Sequence, residues 1–379
     1  MKVTQFTWSE KQGWSPELPN ANIDASLIFL FGGRNALSRG GLMDEILEAF
    51  PEAPSVGCST AGEIIDQEVL DDSVVVSAIS FENATVQVKV AELEGIDGSY
   101  SAGGRLGEQF EGQDLKHVLV FSPGVDINGT ELVQGLSENI PDGVSVSGGL
   151  SADGACFEKT LVVDRNRIGG NLIVGVGLYG DSLDIRSSSY GGWIPFGPQR
   201  KVTKAEGSVL YELDNRSALS VYKSYLGEKH AADLPSSGLL FPLAVGKPGE
   251  GEVLVRTILA VDEEEESITF AGDIPRESVV RLMRANNDDL IQGAENAAQA
   301  VANDLASDNS FALLVSCVGR KIVLKQRVEE EIEAVKEVLG DGVSISGFYS
   351  YGELSPVSEE GDCRLHNQTM TVTVIEEKA

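Results

Sequence analysis

Apolar and polar positions along the chain fall into a short pattern that recurs. Residues 26–31, SLIFLF, form an apolar run of strand length closed by Gly32 and Gly33. Residues 42–50 place apolar side chains three and four apart, the period of an amphipathic helix, and Pro51 stops it. Residues 55–56 then lead into Gly57-Cys58-Ser59-Thr60-Ala61-Gly62-Glu63-Ile64, a short strand entering a glycine-rich turn. The same order returns as a strand over 117–121, a helix beginning over 131–136 and ending near Pro141, and a strand and turn over 144–149. It returns a third time over 311–316, 328–339 and 343–347. Alternating strand-like segments follow each copy, over 73–90, 160–185 and 368–375.

The turns carry the internal similarity. Gly57-x-x-Thr60-x-Gly62-Glu63-Ile64 matches Gly347-x-x-Ser350-x-Gly352-Glu353-Leu354, and the middle copy, Gly148-x-x-Ser151-x-x-Gly154, is looser. The expected class is α/β: two related halves with mixed, largely antiparallel sheets and outer helices, built from repeated strand-helix-strand modules. Alternation in the trailing segments favours sheets with one covered face over a doubly wound parallel core. Residues 192–198, GWIPFGP, read as a rigid turn segment, followed by a strand-like stretch over 202–209 and a helix over 217–226. The expected division is therefore residues 1–217 and 218–379. The acidic run 262–266 reads as a solvated hairpin turn, because contiguous carboxylates lack the spacing of a cation cage.

Composition narrows the function classes. The 379 residues are 42% hydrophobic and 23% charged, enough for a sizeable core. Acidic residues number 59 against 29 basic, a net charge of −30. Such a surface repels phosphate backbones and anionic headgroups, which argues against nucleic acid and against membrane partners. Cys58, Cys156, Cys317 and Cys363 form no C-x-x-C pair, and His117, His230 and His366 lie far apart, so neither a disulfide framework nor a zinc site is indicated. The opening residues have no apolar signal-peptide core and the longest apolar runs are too short to cross a bilayer. The expected location is the cytoplasm.

At three places in each part the sequence resembles the FIST family of two-part sensory proteins. The first part is similar to the FIST N-terminal domain at 56–64, at Gly148-Gly149-Leu150-Ser151-Ala152-Asp153-Gly154 and at 192–198. The second is similar to the C-terminal domain at Leu254-Val255-Arg256-Thr257, at Gly347-Phe348-Tyr349-Ser350-Tyr351-Gly352-Glu353-Leu354 and at Leu365-His366-Asn367-Gln368-Thr369. The resemblance implies a signal-transduction sensor that binds a small molecule. With no kinase, cyclase or methyl-accepting pattern in the sequence, its output would lie in a separate protein. A stand-alone subset of similar layout binds haem, senses nitric oxide and regulates a histidine kinase or a cyclic-di-GMP enzyme. A homo-oligomer is compatible with that role.

Two sets of residues are candidates for the ligand. Haem b requires a strong axial donor, and His366, at the mouth of a strand, is the candidate for the iron. Strand alternation would place it on one face with Gln368, Met370 and Val372. The alternative is a structural histidine whose ring bonds a neighbouring carbonyl. His117 and His230 carry less weight, and Cys58 and Cys317 read as buried small apolar residues. The second set is the glycine-rich turns, where backbone can approach a ligand closely. There Ser59, Thr60, Ser151 and Ser350 are candidate hydrogen-bond donors, Glu63 and Glu353 candidate partners of an amine, and Tyr349 and Tyr351 candidate walls for a planar ligand. The alternative is that these glycines only turn the chain.

Three functions follow for comparison: a haem-based nitric oxide sensor, a haem-free sensor of a metabolite such as an amino acid, and a serine-dependent hydrolase. The last has little support. Gly-x-x-Ser-x-Gly has the wrong spacing for a nucleophile elbow, and a hydrolase would also need a histidine and a carboxylate at Ser350. The expectation is a binding protein, not an enzyme.

Overall fold

The computed structural model describes residues 1–378 other than 20–23, 166, 249–252, 304, 306–309 and 358–361. The repeat is present as three modules of one design. In each, two parallel strands flank a helix: Leu27–Gly33 with Ser55–Thr60, Leu115–Ser122 with Ser145–Leu150, and Ser310–Cys317 with Val343–Ser350. An antiparallel strand follows on the other side of the first, namely Ser73–Ser80, Leu172–Tyr179 and Met370–Glu377. Each of these pairs in turn with a strand that opens the module: Lys2–Ser9, Thr85–Glu92 and Leu183–Tyr190. The mixed, largely antiparallel class expected from the sequence is what forms.

The continuous apolar runs have a direct cause. Every residue of Leu27–Gly33 is buried, because both faces of its sheet are covered. Leu27, Phe29 and Phe31 point inward, while Ile28 and Leu30 meet Leu42, Ile46 and Ala49 of the outer helix. Leu119 and Phe121 likewise point inward, as do Phe311, Leu313 and Val315. The three sheets thus share one interior, where the rings of Phe29, Phe31, Phe121, Phe311 and Phe348 pack at centroid separations from 4.8 to 6.1 Å.

The modules also exchange strands, in a cycle that periodicity could not reveal. The hairpin of the first, Glu63–Ile65 and Glu68–Leu70, pairs with Val343–Ser350 of the third. The hairpin of the second, Val162–Asp164 and Arg167–Gly169, pairs with Ser55–Thr60 of the first. The hairpin of the third, Gly352–Pro356 and Cys363–His366, pairs with Ser145–Leu150 of the second. The repeated glycines serve this arrangement. A Cβ on Gly57, Gly148 or Gly347 would lie 1.8, 2.0 or 1.9 Å from the carbonyl oxygen of Leu30, Val120 or Leu314, the residue opposite it on the parallel strand.

Between Leu183–Tyr190 and the helix Asn287–Val301, the third module carries an appended antiparallel body. Its strands run Val253–Arg256, Leu243–Gly246, Val279–Arg284, Ile194–Glu206, Val209–Leu213, Ser267–Phe270, Ile258–Asp262 in spatial order. The helix Ala218–Ala232, capped by Ser217, packs on this sheet through Leu219 and Tyr222 over a separate core with Leu210, Phe270 and Leu282. Residues 192–198 are not wholly a turn: strand Ile194–Glu206 begins inside them, and a register shift between Phe196 and Arg200 absorbs Gly197 and Pro198. The acidic run is a hairpin turn, in which Asp262 accepts from the N–H groups of Glu264 and Glu265.

Candidate functional site

Where the appended body meets the three-module core, a cavity of about 700 Å³ opens between them. The core side is made by the loop over 124–129, Leu150, Tyr351 and Leu365, and the appended side by Leu239, Ile258, Leu259, Phe270 and Gly272. The core loop ends in the helix Gly129–Ser137, whose N-cap Asn128 accepts from the N–H groups of Thr130 and Glu131. Hydrogen bonds stitch the junction. Asn128 Nδ2 donates to Asp273 Oδ1 at 3.2 Å, and the Thr257 N–H donates to Asn367 Oδ1 at 3.3 Å. Arg256 lies behind Gly272, donating to the carbonyls of Leu365 at 3.0 Å and Asp273 at 3.2 Å. Burial lowers its pKa to about 10 against the opposing charge of Asp273.

One wall is an aromatic platform fixed by a carboxylate. Asp153 accepts from the N–H groups of Phe157, Glu158 and Lys159 at 2.9 to 3.1 Å and from the Tyr351 hydroxyl, and it pairs with Arg34 at 3.1 Å. Burial pushes its pKa up, but these donors outweigh burial and hold it below the usual range. The loop so gathered puts Phe157 at φ +56°, a conformation bulky residues rarely adopt. Its ring stacks on Tyr351 at 4.2 Å and 10° and remains 42% exposed.

Of the residues singled out in the sequence, Tyr351 lines this cavity. The others are buried and are hydrogen-bonded at or beside the seams where the modules meet. Ser59 Oγ donates to Ala152 O and accepts from the Leu161 N–H, joining the first module to the second. Thr60 donates to Glu63, which also accepts from the Ser73 N–H and hydroxyl. Ser350 donates to Glu353, which accepts in the same way from Thr369. Ser151 donates to Ser122 O. The Tyr349 hydroxyl donates to Glu331, which is ion-paired with the fully buried Arg320 at 2.7 Å. The glycine-rich turns therefore form strand-exchange seams, and their hydroxyls and carboxylates are partnered within the protein.

His366 takes the position of a structural histidine. Its ring is buried, Nε2 lies 3.1 Å from the Ser355 carbonyl oxygen, and desolvation lowers its pKa to about 4. It is absent from the cavity wall, whose described residues include no histidine, cysteine or methionine. The strand ends at His366 and Gln368 takes φ +63°, so alternation toward Met370 is broken. His117 sits between the hydroxyls of Ser145 and Ser147 at 2.6 and 2.8 Å, and burial takes its pKa to about 3. His230 packs edge-on against Phe241. Cys58 and Cys317 are buried thiols with raised pKa values. No hydrogen bond joins His366 to Ser350 among the described residues, so a serine–histidine pair is not assembled there.

Sequence reasoning missed Phe157, Asn128 and the whole appended side of the cavity, and it met Asn367 only as part of a motif. The one signal present was Asp153 within the turn motif, an acceptor placed ahead of three free N–H groups.

A strand-exchanged α/β core bearing an antiparallel appendage, with a ligand-sized cavity at their junction, defines the class of this molecule. The chain belongs to the FIST family: the FIST N domain matches residues 26–216 and the FIST C domain residues 218–356. FIST domains are signal-transduction sensor domains. An uncharacterised protein of Mycobacterium tuberculosis is 25% identical over 362 residues, covering 92% of this chain and 91% of its own. One of Mycobacterium bovis is 25% identical over 363 residues, covering 92% and 90%. The structure of a cyanuric acid hydrolase from A. caulinodans covers 100% of this chain and 99% of its own at 10% identity, with a TM-score of 0.39, too slight a likeness to bear on chemistry. No helix among the described residues is long and apolar enough to cross a membrane.

Proposed function

We propose that this chain is a sensor that receives a small, haem-free ligand in the cavity between core and appended body. Its output is the altered seating of the two parts, presented to a separate signalling protein. The observation that carries the reading is that the cavity walls come from both parts, so a guest touching both shifts their relative position by its differential affinity alone. Binding without bond cleavage is favoured because Ser350 is buried, its hydroxyl donates to Glu353, and it does not line the cavity. Axial ligation by His366 is disfavoured because its ring is buried and absent from the cavity wall.

The test is a metabolite screen read by melting temperature, repeated on Leu239→Trp, which fills the cavity from the appended side. A ligand at about a hundred times its Kd stabilises the native state by ~2.7 kcal/mol, a shift of a few degrees. The shift should be present in the wild type and absent in Leu239→Trp. A shift unchanged by the substitution removes the cavity from the reading. Protein from haem-supplied cells should show no Soret band that depends on His366; a band lost in His366→Ala would restore haem.

A further inference from the structure

We infer that the cavity selects a flat, mainly apolar ring system carrying a protonated amine; this rests on the cavity being the ligand site. Shape comes from the Phe157–Tyr351 stack, which presents a planar aromatic face at the cavity wall. Phe157 is held there against its backbone preference by three N–H bonds to Asp153, so the ring is placed rather than left over. An aromatic face that is both fixed and exposed favours a second flat ring, and its π density attracts a cation placed over that face.

Charge comes from what lines the cavity and what adjoins it. Among the described lining residues there is no lysine or arginine, and Asp126 is the charged one. Asp97 and Asp273 follow the lining residues Ile96 and Gly272 directly. Glu131, one turn into the helix that starts at the cavity, has its pKa raised by burial and then by the charges of Asp273 and Asp97, so the three stand close enough to repel one another. Arg256, behind Gly272, offsets Asp273 and leaves Asp97, Asp126 and Glu131 uncompensated by it. The net charge of −30 adds a long-range term of the same sign. Carboxylates, phosphates and the propionates of haem meet repulsion here, and an ammonium group meets attraction.

The experiment uses three probes that share a ring and differ in charge: indole, tryptamine and indole-3-acetate, titrated calorimetrically into the full chain. Tryptamine should bind roughly fivefold or more tighter than indole-3-acetate at low salt, with the ratio shrinking as salt is raised. Asp126→Asn, which suits the positive φ at that position, should narrow the ratio and leave indole unchanged. Phe157→Leu should weaken all three. If indole binds and Leu239→Trp blocks it, but indole-3-acetate matches or exceeds tryptamine, the charge selection is overturned and the cavity stands. If Leu239→Trp leaves every probe as it was, or no probe binds, the cavity and this inference are overturned together.

Discussion

Glu63 and Glu353 occupy matching positions in two of the three modules, and each is a buried carboxyl that closes a hydrogen-bond ring over a strand-exchange seam. Burial raises both pKa values from 4.5 to about 7, against the opposing effect of their hydroxyl and N–H donors. The folded-state pKa lies above the unfolded one, so the folded protein holds these protons more tightly. Their contribution to stability is fully present below about pH 4.5 and is lost as pH rises through about 7. It amounts to something on the order of 3 kcal/mol for each group across that window. Urea midpoints measured from pH 5 to pH 8 should therefore fall with rising pH, and the slope should flatten in Glu63→Gln and flatten further with Glu353→Gln. An unchanged slope in the double variant would mean that the seams are not the titrating elements.

At the scale of elements, the loop over 153–160 is the piece on which the cavity wall depends. Asp153→Asn keeps the size of the side chain but removes the charge and one acceptor from a group that takes four donors and an arginine. It should cost about 1–3 kcal/mol in stability. It should also free the Phe157 ring from Tyr351, seen as faster hydrogen exchange at residues 157–159 and weaker ligand binding. Exchange at these amides equal to that of the wild type would show that other contacts hold the loop. The sequence made the repeated strands and helices legible, because runs such as Leu27–Gly33 are apolar on both faces and helices such as Val328–Leu339 keep one apolar stripe. It made the hydroxyls of Ser59, Thr60, Ser151 and Ser350 conspicuous but not their part, since the hairpin of one module and the strand it joins lie far apart along the chain. A glycine-rich turn has the same sequence whether it makes room for a guest or, as at Gly57 and Gly347, meets a neighbouring carbonyl that leaves no room for a Cβ. The cavity was hidden for the same reason, its walls being drawn from segments as distant as 96 and 367.

For the whole molecule, the boundary written in the sequence near residue 218 and the boundary written in the packing are different cuts. A chain divided after residue 217 would part Glu63–Ile65 from Val343–Ser350, Gly352–Pro356 from Ser145–Leu150, and Leu183–Tyr190 from Met370–Glu377. Each fragment would expose strand edges and half of the phenylalanine interior, so neither should fold alone. Among the described residues the appended body shares no sheet with the modules, has its own core, and begins and ends on opposed residues, Ile194 and Arg284. A short glycine-serine linker in place of residues 195–283 can therefore bridge a gap of only about 5 Å. The excised protein should keep a single cooperative melt, at a lower temperature because Trp193 and Leu290 lose Met283 and Ala244 from their cluster. It should no longer bind the ligand, having lost one side of the cavity. Circular dichroism and melting of the two fragments and the excised protein decide the matter. Folded 1–217 and 218–379 fragments beside an unfolded excision product would reverse the assignment, placing the structural unit at the family-domain boundary and making the strand exchange dispensable.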